Sequence, residues 1–260
     1  MLTLCDELII EIGRSLTNDE KIKLTMISKL MDKFIFKFMY MDKIDIRRIR
    51  SLKFFNNFEY VEIPDMTYKC PKNVKHIKFV ASCLTPTTRR AGRHISMQFN
   101  YFFSQFEGGG ITSLKSVTID DNYDRSIKYC LPPSVTHLIF GKFFNQPIER
   151  KQIPLSSVDQ QIESDIPASI THLTFGDSFD KPIKCCIPQS VTHLKFGKCF
   201  NQSIKDCIPT SVTHLEFGIC FDQSLDSIPL SVKEIKICDI YDKIIDTEIM
   251  AKIIMIESKI

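Results

Sequence analysis

Six histidines and ten cysteines are the residues of this 260-residue chain with the most chemistry to offer. All six histidines (His76, His94, His137, His172, His193, His214) stand immediately before a leucine or an isoleucine, and the last three are 21 residues apart. An evenly spaced row of imidazoles has two obvious uses, holding metal and sensing pH. A metal site needs ligands that converge, and a straight row on one face does not; no carboxylate or thiol motif joins it, so no metal ligand is expected. Charging the row below about pH 6 would set like charges side by side and weaken whatever carries them. The cysteines repeat too: Cys186 and Cys207 are 21 apart, as are Cys199 and Cys220. No Cys-x-x-Cys occurs, which removes a zinc ribbon. Cysteine nucleophile chemistry would need a histidine and an orienting third group, and none can be placed. Phosphate-cradling glycine loops, His-Glu-x-x-His and Gly-x-Ser-x-Gly are all missing. The expectation is a chain with no catalytic residue and no cofactor, and therefore not an enzyme.

The elements that space these residues come from a repeat. Val-Thr-His-Leu-x-Phe-Gly or its close variant starts at Val135, Ile170, Val191 and Val212, with a weaker copy at Val232. Leu114, Val74 and Ile49 open more distant copies. His-Leu-x-Phe alternates polar and apolar, the period of a half-buried strand. Leu138 and Phe140 are expected inward, His137 and Ile139 outward. Ile-Pro pairs such as Ile187-Pro188 and Ile208-Pro209 belong on the return side, because proline cannot donate a ladder hydrogen bond. One unit cannot bury its apolar face alone; stacked units make a parallel sheet and a continuous core. Two intervals are irregular. Val135 to Ile170 is 35 residues, and residues 158–169 read as a unit that has lost its strand, which would break the ladder there. Val74 to Leu114 is 40 residues, and Arg93-His94-Ile95-Ser96-Met97 reads as the degraded core of a middle unit.

The pattern is close to the leucine-rich repeat, with Leu114, Val117, Ile119 and Asn122, or Val191, Leu194, Phe196 and Cys199, at its marked positions. Phe200-Asn201-Gln202 brings the next apolar residue one place early, so the convex side should be modified and nearly free of helix. Phe144-Asn145-Gln146-Pro147-Ile148, Phe200-Asn201-Gln202-Ser203-Ile204 and the recurring Ile-Pro-x-Ser-Val resemble the FNIP repeat over residues 110–240. That family occurs in amoebae and in the giant viruses that infect them.

Residues 1–45 lack the repeat and show helical spacing: Leu4, Leu8, Ile9, Ile12 and Leu16, then Leu24, Ile27, Leu30 and Met31. Thr17 and Glu20 have the form of a capping box. Leu4-Cys5-Asp6-Glu7-Leu8 and Leu24-Thr25-Met26-Ile27-Ser28-Lys29 resemble the two blocks of an F-box, with Cys5 where proline is usual and Met31 where an aromatic is usual. The resemblance implies that Leu4, Leu8, Ile9, Ile12, Leu24 and Ile27 bind a Skp-type adaptor of a cullin–RING ubiquitin ligase. The alternative is a plain interaction scaffold whose helices only cap the solenoid, which repeat proteins need.

The expected fold class is α+β: a helical F-box-like segment (1–46), degenerate repeats with an irregular basic loop (47–113), a repeat solenoid of about 21-residue coils (114–243) and a C-terminal cap (244–260). That cap is either a helix or a further strand, since Ile253 lies 21 after Val232. The basic knot Arg89-Arg90-Ala91-Gly92-Arg93 and the hinge Gly108-Gly109-Gly110 read as a solvated loop. A partner is expected on the outward face, where a constant histidine adjoins a varied neighbour: His137 and Ile139, His172 and Thr174, His193 and Lys195, His214 and Glu216. Net charge of +3 is too mild to imply nucleic acid or a membrane surface. A chain start without a basic leader and thiols in no disulfide pattern fit a cytoplasmic monomer, in a host cytoplasm if the source is viral.

Overall fold

The computed structural model describes residues 6–64, 68–80, 102, 113–124, 127, 131–148, 150–151 and 163–257. Within these, ten strands form one parallel sheet and two more form a separate antiparallel ribbon. In chain order the sheet strands are β1 (Ile44–Asp45), β2 (Tyr60–Ile63), β3 (His76–Phe79), β4 (Ser116–Thr118), β5 (His137–Ile139), β8 (His172–Thr174), β9 (His193–Lys195), β10 (His214–Glu216), β11 (Glu234–Cys238) and β12 (Ile253–Ile256). The ribbon is β6 (Arg150–Lys151) with β7 (Glu163–Ser164). Each sheet strand pairs with the next in the series, the topology of a solenoid. Among the described residues no helix lies between Ser116 and Cys238, so the return side is built of turns. Val191 N–H donates to Pro188 O, and Val212 N–H to Pro209 O, in those turns.

The short strands are held by what they bury. Leu138, Leu173, Leu194 and Leu215 point inward together with the anchors Val135, Ile170, Val191 and Val212. Behind them run two columns of phenylalanine. Phe140, Phe175, Phe196 and Phe217 stack at 5.4–5.6 Å, and Phe144, Phe179, Phe200 and Phe221 at 6.1–6.2 Å. Tyr241 extends the second column at 6.2 Å and donates its hydroxyl to Gln223 O at 2.8 Å. Three ladders link successive coils, two by hydrogen bonds and one by close backbone contact. Ser190 and Ser211 donate to the carbonyls of Ile170 and Val191, both at 2.7 Å. A carboxylate or amide after the second phenylalanine accepts from the backbone of the next coil: Asp124 from Asn145, Asn145 from Asp180, Asp180 from Asn201, and Asn201 from Asp222, at 2.7–3.0 Å. The glycines after the strand form the third ladder, where one coil's backbone runs against the next.

Four expectations need correction. First, the ladder is not broken after Val135. β5 pairs directly with β8, His137 opposite His172, and Thr171 N–H reaches Thr136 O at 2.8 Å. The surplus length leaves the coil on its return side as the β6–β7 ribbon, so the unit at 158–169 contributes no rung; residues 158–162 themselves lie outside the described residues. Second, β3 pairs directly with β4, which leaves no rung for the unit proposed at 93–97, and that segment, the basic knot and the glycine hinge also lie outside the described residues. Third, Ile49 is no strand anchor: it ends a short helix (Ile46–Ile49), and the strand sits at Tyr60–Ile63 behind buried Phe58. Fourth, the sheet starts at Ile44, inside the stretch read as wholly helical. The C-terminal alternatives both occur, a short helix Thr247–Met250 followed by β12, with Ile253 opposite Ile235 rather than Val232.

A ribbon that leaves a coil without disturbing its register should be dispensable. Deleting the fourteen residues 150–163 brings β5 and β8 to the 21-residue spacing of β8 and β9. The shortened chain is expected to melt cooperatively within a few degrees of the parent, because loop length costs little. Loss of the cooperative transition in calorimetry would show that the ribbon is part of the core.

Candidate functional site

Two surfaces carry the residues singled out in the sequence. The first is the outward face of the sheet. His137, His172, His193 and His214 form one column with ring centres 4.1–4.2 Å apart and planes within 12° of parallel. His76 pairs with Ser116, so it stands apart from the column; its ring lies 5.6 Å from that of Tyr60. His94 lies outside the described residues. Beside the column run exposed Ile139 and Lys195 and half-buried Thr174 and Glu216. Lys195 and Glu216 form an ion pair at 2.6 Å across adjacent coils, and Lys236 meets Glu234 at 3.1 Å. His172, His193 and His214 line a shallow depression of about 230 Å³ with these four charged side chains at its rim. The eight predicted face residues are thus brought together on one surface.

Each ring is fixed from below. Nδ1 of His137, His172, His193 and His214 lies 2.8–2.9 Å from the hydroxyl of the preceding threonine. Burial in the stack lowers the pKa of His76, His137, His172 and His193. His172, between two other imidazoles, is brought down to about 4, by burial first and by its histidine neighbours second. A histidine that is harder to protonate in the fold than in the unfolded chain favours the fold while neutral. The unfolded state therefore takes up the extra protons as pH drops below about 6.5, and stability complete above that pH is lost on the way down to 4. The melting temperature at pH 5 should lie about 3 °C below that at pH 7.5, equivalent to about 1 kcal/mol once solvent screening of these half-exposed rings is allowed for. In His172→Phe the difference should shrink; an equal difference in the variant would assign the effect to other groups.

The second surface is the helical N-terminus. Helix α1 (Asp6–Arg14) and helix α2 (Asn18–Met26) are joined at Thr17, which caps α2 through Glu20 N–H while the Glu20 carboxylate accepts from Thr17 N–H at 2.8 Å, the expected capping box. Both helices are tied to the chain that enters the sheet. Lys21, buried, donates to Met39 O at 2.9 Å, Asn18 bonds to Asp42, and Asp6 meets Lys33 and Lys37 at 2.8 and 2.6 Å. Those two lysines hold the Asp6 carboxyl below its ordinary range. Of the six residues assigned to adaptor binding, Ile9 is buried at 8% exposure and Leu24 is half-buried against the core. Leu8 and Ile12 are exposed, Ile27 is 72% exposed, and Leu4 lies outside the described residues. Met26 (77%) and Leu30 are exposed beside Ile27, an extension the sequence reading did not include. The helices thus turn one side to the solenoid and leave apolar side chains on another.

Of the described cysteines, Cys70, Cys186, Cys207 and Cys238 are buried, while Cys185, Cys199 and Cys220 are exposed. Among the described residues no group of three histidine, cysteine or acidic side chains converges as a metal site, and no helix is long and apolar enough to cross a membrane.

Comparison with known proteins gives a family match and similarity to solved structures. The FNIP Repeat family model matches residues 123–158, 159–199 and 200–239. The second match holds the two rungs β8 and β9, and the third β10 and β11, so the family unit covers two coils of the solenoid where both are regular. Among solved structures, that of CroV588, described as a novel circular LRR protein, is 29% identical over 72% of this chain, with a TM-score of 0.47. This chain spans 28% of that protein's length. A search of curated proteins finds no match. Three consecutive FNIP repeats are thus matched over residues 123–239, and the rungs β5 and β8 to β11 described there stack as a parallel, leucine-rich-repeat-like solenoid.

Proposed function

We propose that this chain is a non-catalytic adaptor of the cytoplasm. Its N-terminal helices dock a Skp-type protein of a cullin–RING ubiquitin ligase, and its outward sheet face holds the target. The observation that carries the reading is the exposed apolar set Leu8, Ile12, Met26, Ile27 and Leu30 on helices whose other side is already anchored by Ile9 and Lys21. A mere cap has no use for such a set, and solvent-exposed aliphatic groups in number mark protein contacts. A scaffold whose helices only close the first coil is the second reading, favoured by those same anchors.

The test is a pull-down of a purified Skp-type protein by the folded chain. Capture is expected, with loss of at least tenfold in affinity for Leu8→Asp or Ile27→Asp at unchanged melting temperature, since both side chains are already in water. A folded parent that captures nothing leaves the scaffold reading alone.

A further inference from the structure

The histidine column has a polarity that decides what it can bind. Each threonine hydroxyl beneath a ring has a single proton and two candidate acceptors. One is the ring nitrogen Nδ1, at 2.8–2.9 Å. The other is a backbone carbonyl of the coil before, at 3.2–3.3 Å. That carbonyl is already taken. Thr136 O accepts Thr171 N–H at 2.8 Å and His172 N–H at 3.0 Å, and Thr171 O and Thr192 O each accept the corresponding pair. Two backbone donors fill its two lone pairs, and 3.2–3.3 Å is long for a hydroxyl donor, whose usual reach ends at about 3.0 Å. The hydroxyl proton therefore goes to Nδ1, and the neutral ring carries its own proton on Nε2, the nitrogen farthest from the backbone.

No Nε2 in the column donates to a described residue. The carboxylates nearest to it are engaged, Glu216 with Lys195 and Glu234 with Lys236. What the face offers is a file of parallel N–H donors, one per coil, on a chain of net charge +3. Nearly parallel rings 4.2 Å apart hold neighbouring Nε2 atoms at about that separation. The two oxygens of a carboxylate, about 2.2 Å apart, reach two such nitrogens along N–H···O lines of about 2.9 Å that lean roughly 20° from parallel, inside the usual tolerance. Along the file itself an ammonium or guanidinium group finds no acceptor; the carboxylates of Glu216 and Glu234 beside it each already hold a lysine.

We propose that the outward face recognises an acidic segment of a partner protein, one aspartate or glutamate side chain bridging the Nε2–H groups of two consecutive coils among His172, His193 and His214. The inference rests on this face being the recognition surface and adds the chemistry of what it recognises.

The experiment uses the full chain with octaglutamate and octalysine peptides as probes, followed by long-range proton–nitrogen NMR of the imidazoles. All four column rings are expected in the Nε2–H form. Octaglutamate should bind and shift the Nε2 signals of His172, His193 and His214. His193→Phe, which keeps a stacked ring but has no donor, should weaken it at least fivefold while melting like the parent. Nδ1–H rings, or binding of octalysine in place of octaglutamate, would overturn the acidic-segment inference while leaving the face as a recognition surface. Octaglutamate that shifts only residues away from the column would count against the face itself. Absence of binding by octaglutamate to a folded chain with Nε2–H rings would overturn the proposal as well.

Discussion

Gly197→Ala is expected to destabilise the chain by about 3 kcal/mol or more and to lower its melting temperature by about 10 °C. A methyl group at position 197 would lie 2.2 Å from Gly176 O and 2.4 Å from its carbonyl carbon. The requirement is space between coils rather than a left-handed backbone. Backbone is also the worst obstacle to meet, because it cannot rotate away as a side chain can. Here it is pinned on both sides: Phe196 N–H donates to Glu216 O and Phe175 N–H to Lys195 O, each at 2.8 Å. Any shift at Gly197 is passed on, since Gly218 runs in turn against the Gly197 carbonyl with no room for a Cβ between them. Gly141 and Gly176 meet the same limit against Asp120 O and Gly141 O. The control is Lys198→Ala, one residue on and exposed, for which a change within about 0.5 kcal/mol is expected. Thermal melts of the two variants decide the matter: a Gly197→Ala chain as stable as Lys198→Ala would mean that the coils can separate at no cost.

That glycine was legible in the sequence as the last residue of the repeated Val-Thr-His-Leu-x-Phe-Gly, and its reason was not. Periodicity reports which side chains alternate, so Leu138 and Phe140 inward and His137 and Ile139 outward could be read directly. It does not report how far apart two backbones run, and the glycine ladder is a fact about that distance. The asparagine of Phe-Asn-Gln is similar: it marked the family, but its carbonyl oxygen acts on the following coil, 21 or 35 residues away, beyond any local pattern. Interval arithmetic failed in an instructive way. It treated 35 and 40 residues as damaged multiples of 21, whereas β3 pairs directly with β4 and β5 with β8, and between β5 and β8 the surplus leaves as a ribbon without loss of strand register. The N-terminal helices were legible by spacing and by the Thr17–Glu20 box, because both are local. Which of their apolar residues remain in water was not, since that depends on where Met39 and Asp42 lie to receive Lys21 and Asn18.

Asn201→Leu should cost about 2–3 kcal/mol, and Asn201→Asp only about 1 kcal/mol, with the second loss recovered in salt. The Asn201 Oδ1 accepts two bonds at 2.9 Å, from Asp222 N–H and from Gln223 Nε2. Leucine fills the space but removes the acceptor of two donors, one exposed and one half-buried, at about 1 to 1.5 kcal/mol for each bond lost. Aspartate supplies the same oxygen, as Asp180 does for Asn201 N–H and Gln202 Nε2 at 3.0 and 2.8 Å. Its penalty has a different origin. The ladder runs Asp124, Asn145, Asp180, Asn201, Asp222, so charged and neutral acceptors alternate along consecutive coils. Aspartate at 201 would set three carboxylates on successive rungs about 4.8 Å apart, with Lys243 beside Asp222 at 3.1 Å as the nearest compensating charge. Repulsion between exposed charges is screened within a few ångströms in molar salt, whereas a missing acceptor is not. Urea unfolding in low salt and in about 1 M salt therefore separates the two. The Asn201→Asp midpoint should approach the parent's in high salt, and the Asn201→Leu midpoint should stay low. If Asn201→Leu unfolds at the parent's midpoint, the oxygen ladder holds no part of the stack together; if Asn201→Asp ignores salt, the alternation of charge along it has no electrostatic meaning.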